Sequence, residues 1–174
     1  VQRILRRTQV QSRASVLASS KSNEPLSFYG KESPSTAARM AQFSRHAAPL
    51  ALASVACALT DSQIAAAPIT HLVTVCCTGF QSPGFDLALI KQLGLDAGVQ
   101  RTHVGFMGCH GALNGLRVAR AFVEAYADAV VLLCAVELCS LHLYYGWDPE
   151  KVVANSLFAD GAASLVATAD MCGA

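Results

Sequence analysis

The alternation of apolar and polar positions divides the chain into short blocks of two different periods. Residues 36–62, TAARMAQFSRHAAPLALASVACALTDS, place apolar side chains three and four apart behind a Ser or Thr cap, which predicts a helix that Pro49 kinks or divides. ITHLVTVCCT, bounded by Pro68 and Gly79, is a β-branched run that predicts a buried strand. A turn, GFQSPGFD, leads into DLALIKQLGL, a short amphipathic helix that stops near Gly94. QRTHVGFMG then predicts a second strand, ALNGLRVARAFVEAYAD a second amphipathic helix, and AVVLLCAVEL a third strand. PEKVVANSLF follows as helix and GAASLVATAD as the last strand. Strands alternating with helices of this length imply right-handed crossovers and a mostly parallel sheet covered on both faces. The unbroken apolar run AVVLLCAV agrees with burial on both sides. No internal repeat is visible.

Composition sharpens this picture without changing it. At 174 residues and 53% hydrophobic, the chain is long enough and apolar enough to build one well-cored domain. Only 14% of residues are charged and the net charge is +1, which gives no electrostatic ground for a nucleic-acid or membrane partner. The basic residues are uneven, however: Arg3, Arg6, Arg7, Arg13 and Lys21 crowd the first 21 positions with no acid among them. Residues 1–34 therefore read as a basic arm and loop, and 35–174 as the folded domain. The arm fits a solvated or targeting segment, or a site for anionic phosphates. Seven cysteines in or beside apolar runs, with no paired Cys-x-x-Cys spacing, predict reduced thiols, a cytoplasmic protein and no metal site. No apolar run reaches the ~18 residues that span a bilayer. The chain starts VQRILRRTQV, without a signal-peptide core or an initiating Met, so it is expected to be cut from something longer.

One stretch carries candidate chemistry. In GFMGCHGALNGLRVA, Cys109 lies where a predicted strand gives way to a helix, the address at which open α/β sheets place reactive groups. The unpaired N–H groups and positive dipole end of that helix favour a thiolate over a thiol. Gly105, Gly108, Gly111 and Gly115 clear side chains from around the sulfur. The competing reading is a packed core thiol, because free cysteines are among the most buried residues. His110 is the adjacent candidate base, but successive residues on a helix do not face the same way.

Four segments in order, ITHLVTVCCTGFQSPG, GFMGCHGALNGLRVA, VLLCAVE and NSLFADGAASLV, resemble the N-terminal half of the type III polyketide synthases, the chalcone and stilbene synthase family of the thiolase fold. The resemblance implies a thiolase-like α/β half, with layered helices around a mixed, mostly parallel sheet. It makes Cys109 the nucleophile that accepts a starter acyl group from coenzyme A. It makes Phe158 a gate between coenzyme A tunnel and cavity, and puts Cys77, Thr78, Cys139 and His142 on the cavity wall. Plant members carry hydroxyl residues at several of these places, so Cys77, Cys139 and His142 are departures that bear on starter unit and product. Ser82 falls where a side chain crosses a dimer interface, and Arg3 and Arg7 fall near phosphate-contacting positions.

The implied reaction loads an acyl-CoA on Cys109 and extends it by decarboxylative Claisen condensation with malonyl-CoA. Coenzyme A thioesters are substrates in this scheme, no cofactor is implied, and the implied assembly is a homodimer. Glu137 reads as hydrogen-bonded scaffold beside the site, and Asp160 with Gly161 as a tight turn. The family's catalytic His and Asn lie in a second thiolase-like half, which is expected to be absent from these 174 residues, leaving the chain alone inactive. The alternatives are a β-ketoacyl-acyl carrier protein synthase, a hydroxymethylglutaryl-CoA-type synthase, or a non-catalytic dimerising half-domain.

Overall fold

The computed structural model describes residues 7–17 and 28–169. Its longest element is helix α1, Thr36–Ser62, capped by Ser35, whose hydroxyl accepts the Ala38 N–H at 3.2 Å. Such a cap contributes about 1 kcal/mol. The helix runs through Pro49 undivided, so of the two expected outcomes, a kink or a division, the division does not occur. Phe43, Ala47, Ala51, Val55 and Ala58 form one buried stripe spanning the proline, and packing along that stripe holds the helix together where one backbone hydrogen bond is lost.

The remaining elements follow the predicted alternation. They are β1 (His71–Cys76), α2 (Phe85–Leu93), β2 (Gln100–Gly105), α3 (Gly111–Ala125), β3 (Val130–Leu138), α4 (Pro149–Leu157) and β4 (Asp160–Thr168). Gly94 ends α2 in the left-handed conformation, its N–H on the Ile90 carbonyl. The strand order is β2-β1-β3-β4: β1 pairs in parallel with both β2 and β3, and β4 lies antiparallel to β3. The sheet is therefore mostly parallel, as the sequence pattern implied, and mixed, as the resemblance implied.

Period-two alternation sends the strand residues into two separate cores. Leu72 and Cys76 of β1 join Leu132, Cys134, Val136 and Leu138 of β3 against α1 and α2. Val73, Val131 and Leu133 face the other way, against Ala119 of α3. All six residues of β1 are buried, which is why its sequence is an apolar run rather than an alternation.

Asp160 and Gly161 do not form the expected tight turn. They open β4, opposite Leu138 and Glu137 of β3. The Asp160 carboxylate accepts the Val16 N–H at 2.7 Å, the Ser140 N–H at 2.7 Å and the Ser140 hydroxyl at 2.6 Å, tying three distant segments together. Turn-forming residue types carry no record of bonds that span so much sequence.

At the opposite end of the sheet from Cys109, His71 is buried between the rings of Phe122 (4.3 Å) and Tyr126 (5.4 Å). Its Nδ1 meets the Thr70 hydroxyl at 2.8 Å, while Nε2 has no hydrogen-bond partner. Burial lowers its pKa from the ordinary 6.5, against a smaller opposing effect of Asp128. As pH falls below 6.5, the unfolded chain takes up this proton and the folded one resists, so stability declines until pH passes the lowered folded value. Denaturant melts across that window are expected to show a loss in the wild type that His71→Phe lacks; equal slopes would contradict this.

Candidate active site around Cys109

The strand β2 ends at Gly105, and the chain turns through Phe106, a non-glycine residue at φ 57°, and Gly108 at φ 60°. Holding Phe106 there costs about 1–3 kcal/mol. A short 3-10 turn, Gly108–His110, then feeds directly into α3. Cys109 occupies this turn and is exposed, so the packed-core reading does not hold.

Close approach of α3 to the sheet fixes the turn from below. A Cβ at Gly115 would stand 2.8 Å from Val75 Cγ2 and 3.0 Å from Leu133 Cδ1, and one at Gly111 would stand 2.9 Å from Val75 Cγ1. Only residues without side chains let the helix lie this near β1 and β3.

Cys109, Cys77, Thr78, Cys139, His142 and Phe158 line a single cavity of about 240 Å³. It opens at the carboxyl ends of the parallel strands, between the turns that follow β1, β2 and β3 and the face of α4. The Cys77 thiol points to the Gly108 carbonyl at 3.5 Å, beside Cys109. Phe158 ends α4 and is half-exposed at the cavity's side.

Glu137 organises the floor. Its carboxylate accepts the Cys77 N–H at 2.8 Å, the Thr78 N–H at 3.0 Å and the Thr78 hydroxyl at 2.6 Å. The Thr78 hydroxyl in turn accepts the Leu138 N–H at 2.8 Å, closing a loop between the ends of β1 and β3. His142 donates from Nε2 to the Thr78 carbonyl at 2.6 Å, which fixes its tautomer when neutral and leaves Nδ1 as acceptor. The scaffold role expected of Glu137 is met.

Three of the other thiols have raised pKa values. Burial, then the charges of Glu137 and Asp160, push Cys139 up to about 11. Burial pushes Cys134 up to about 11 as well, and burial with Glu137 raises Cys76. These three stay protonated at neutral pH, and protonated thiols are poor nucleophiles.

Ser82 is not in the Cys109 cavity; it lies on an exposed turn lining a second recess with Phe80, Phe85 and Phe106. Arg7 is exposed and away from the cavity, and Arg3 lies outside the described residues. His110 makes no hydrogen bond to Cys109 and does not cap α3 through its side chain. Gly108, one of the glycines singled out in the sequence, lines the cavity too, and Leu143, Ala154 and Asn155 line it without having been singled out. For Asn155 no local signal exists, because its partner, Tyr144, lies eleven positions away across a loop. Among the described residues no group of three or more His, Cys, Asp or Glu is placed to hold a metal ion, and no helix is long and apolar enough to cross a membrane.

The family model for the N-terminal domain of chalcone and stilbene synthases matches residues 1–171. The chain belongs to the chalcone and stilbene synthase family. Within that family, the type III polyketide synthases, it is 42% identical over 128 residues to an alpha-pyrone synthesis polyketide synthase-like protein of Mycobacterium tuberculosis, covering 74% of this chain and 33% of that one. Among solved structures it matches the C-terminal type III polyketide synthase domain of Steely1 from Dictyostelium, with TM-score 0.86 and 31% identity over 94% of this chain and 45% of that one. It also matches CsyB complexed with CoA-SH, with TM-score 0.79 and 30% identity over 94% of this chain and 45% of that one. The chain thus spans less than half the length of these relatives. Family membership confirms the thiolase-like α/β fold and does not favour the carrier-protein, hydroxymethylglutaryl-CoA or non-catalytic alternatives.

Proposed function

We propose that this chain carries the acyl-accepting part of a type III polyketide synthase site. The single observation behind this reading is an exposed cysteine at the start of α3 that lines the cavity at the strand ends, where burial and neighbouring carboxylates hold Cys139 protonated. The Cys109 thiolate attacks the carbonyl carbon of a starter acyl-CoA, and the coenzyme A thiolate leaves and takes up a proton. Malonyl-CoA then loses carbon dioxide to give an enolate. Its carbon attacks the Cys109 thioester, the cysteine sulfur departs, and the chain emerges two carbons longer. Such covalent catalysis divides one difficult transfer into two easier ones. The extension steps also require groups that stabilise the enolate and the thioester oxyanion.

Binding of CoA-SH by a relative of 30% identity supports a coenzyme A thioester as donor. The exposed Phe80, Phe106 and Met107 near the Ser82 recess support the homodimer, which sedimentation tests; a monodisperse monomer of the whole protein would contradict it. The main test is incubation with an acyl-CoA followed by peptide mass spectrometry. One hydroxylamine-labile acyl group on Cys109 is expected, and acylation spread over the other thiols, or none, would sink the proposal.

A further inference from the structure

Asn155 lines the cavity, yet its amide is turned to the opposite wall. Oδ1 accepts the Tyr144 N–H at 3.1 Å and Nδ2 donates to the Tyr144 carbonyl at 2.9 Å, so one side chain clamps both backbone groups of one residue. Two walls meet at this clamp. Leu143 and His142 stand on one, in the segment leaving the turn Cys139–His142; Ala154, Asn155 and Phe158 stand on the other, on α4. The Asn155 carbonyl also accepts the Arg13 guanidinium, which ties the N-terminal arm to the same helix turn.

The wall's other hydrogen bonds pull away from α4. Leu143 donates its N–H to the Tyr29 hydroxyl at 3.2 Å, and the Tyr145 hydroxyl donates to the Gly30 carbonyl at 2.9 Å. Lys151 of α4 lies 4.1 Å from the Tyr144 ring centroid, but this contact is half-exposed and weak. Without the amide, the segment 143–145 stays anchored to residues 29–30 and loses its directional bonds to α4. With the carbonyl and one N–H so engaged, Asn155 acts on the cavity by fixing where its wall stands. Phe158 lies three residues on, along the same side of the helix.

We propose that Asn155 is a positioning residue that sets the width of the cavity mouth, and with it the size of acyl group that reaches Cys109. The proposal rests on Cys109 being the acceptor thiol, but its test does not require acyl transfer. Cys109 alkylation is timed in the wild type, Asn155→Ala and Asn155→Asp with iodoacetamide and with a bulky aryl maleimide, alongside melting temperatures. Losing two neutral hydrogen bonds is expected to raise the maleimide rate relative to iodoacetamide by about tenfold in Asn155→Ala. A smaller rise is expected in Asn155→Asp, which keeps the acceptor for the Tyr144 N–H; should the alanine variant fail to fold, the aspartate variant decides. In acyl transfer the same variants are expected to shift preference toward longer starters. An unchanged rate ratio, or equal acceleration of both probes, would overturn the clamp. If the wild type accepts no acyl group while the ratio shifts as expected, the acyl-transfer reading fails and the clamp stands.

Discussion

Cys109→Ala is expected to abolish acyl transfer to this chain while leaving its melting temperature nearly unchanged. The side chain is exposed and packs in neither core, so little stability rests on it. Its removal takes away the only described thiol at the start of α3, and losing a covalent nucleophile costs at least about a thousandfold in rate. Cys109→Ser is expected to lose nearly as much, because a hydroxyl does not ionise where a thiol does. The measurement is the acyl adduct formed per unit time on each cysteine peptide. Transfer continuing at the wild-type rate through Cys77 or Cys139 would show that the cavity, rather than this sulfur, selects the acceptor.

The largest loss of stability is expected from Glu137→Leu. That substitution strips the acceptor from the Cys77 N–H, the Thr78 N–H and the Thr78 hydroxyl at once. At 1–3 kcal/mol for each donor left unpaired, the loss is about 3 kcal/mol or more, a large share of a typical domain's stability. Glu137→Gln keeps one oxygen and is expected to lose clearly less. Urea midpoints separate the two variants, and equal small losses in both would show that the hub is not buried enough to matter. Either variant also removes a charge that raises Cys139, so alkylation of Cys139 at alkaline pH is expected to quicken.

The order of elements was legible because each strand and helix announces itself locally. The buried β1 reads as an apolar run, α2 carries its own glycine stop, and α3 has polar and apolar residues at helical spacing. Pro49 left kink and division open because a proline's local cost is visible in sequence while the tertiary stripe that offsets it is not. Asp160 misled for a related reason: its bonds reach Val16 and Ser140, and no window of a few residues contains them. Of the six candidates that share the cavity, Cys109 was legible from its strand-to-helix turn, whereas Cys77, Thr78, Cys139, His142 and Phe158 were marked only by the resemblance. Asn155 escaped notice because its meaning lies in a pairing across a loop, and its residue type alone says nothing of Tyr144.

The bare face of α3 has one more consequence. Because Gly111 and Gly115 rest directly on Val75 and Leu133, the height of Cys109 above the sheet is set by backbone against strand. Cys139 and His142, on the facing wall, stand outside that seating. Descendants of this chain can therefore exchange those lining residues while Cys109 keeps its place; variation of the cavity and constancy of the turn are assigned to different parts of one small domain.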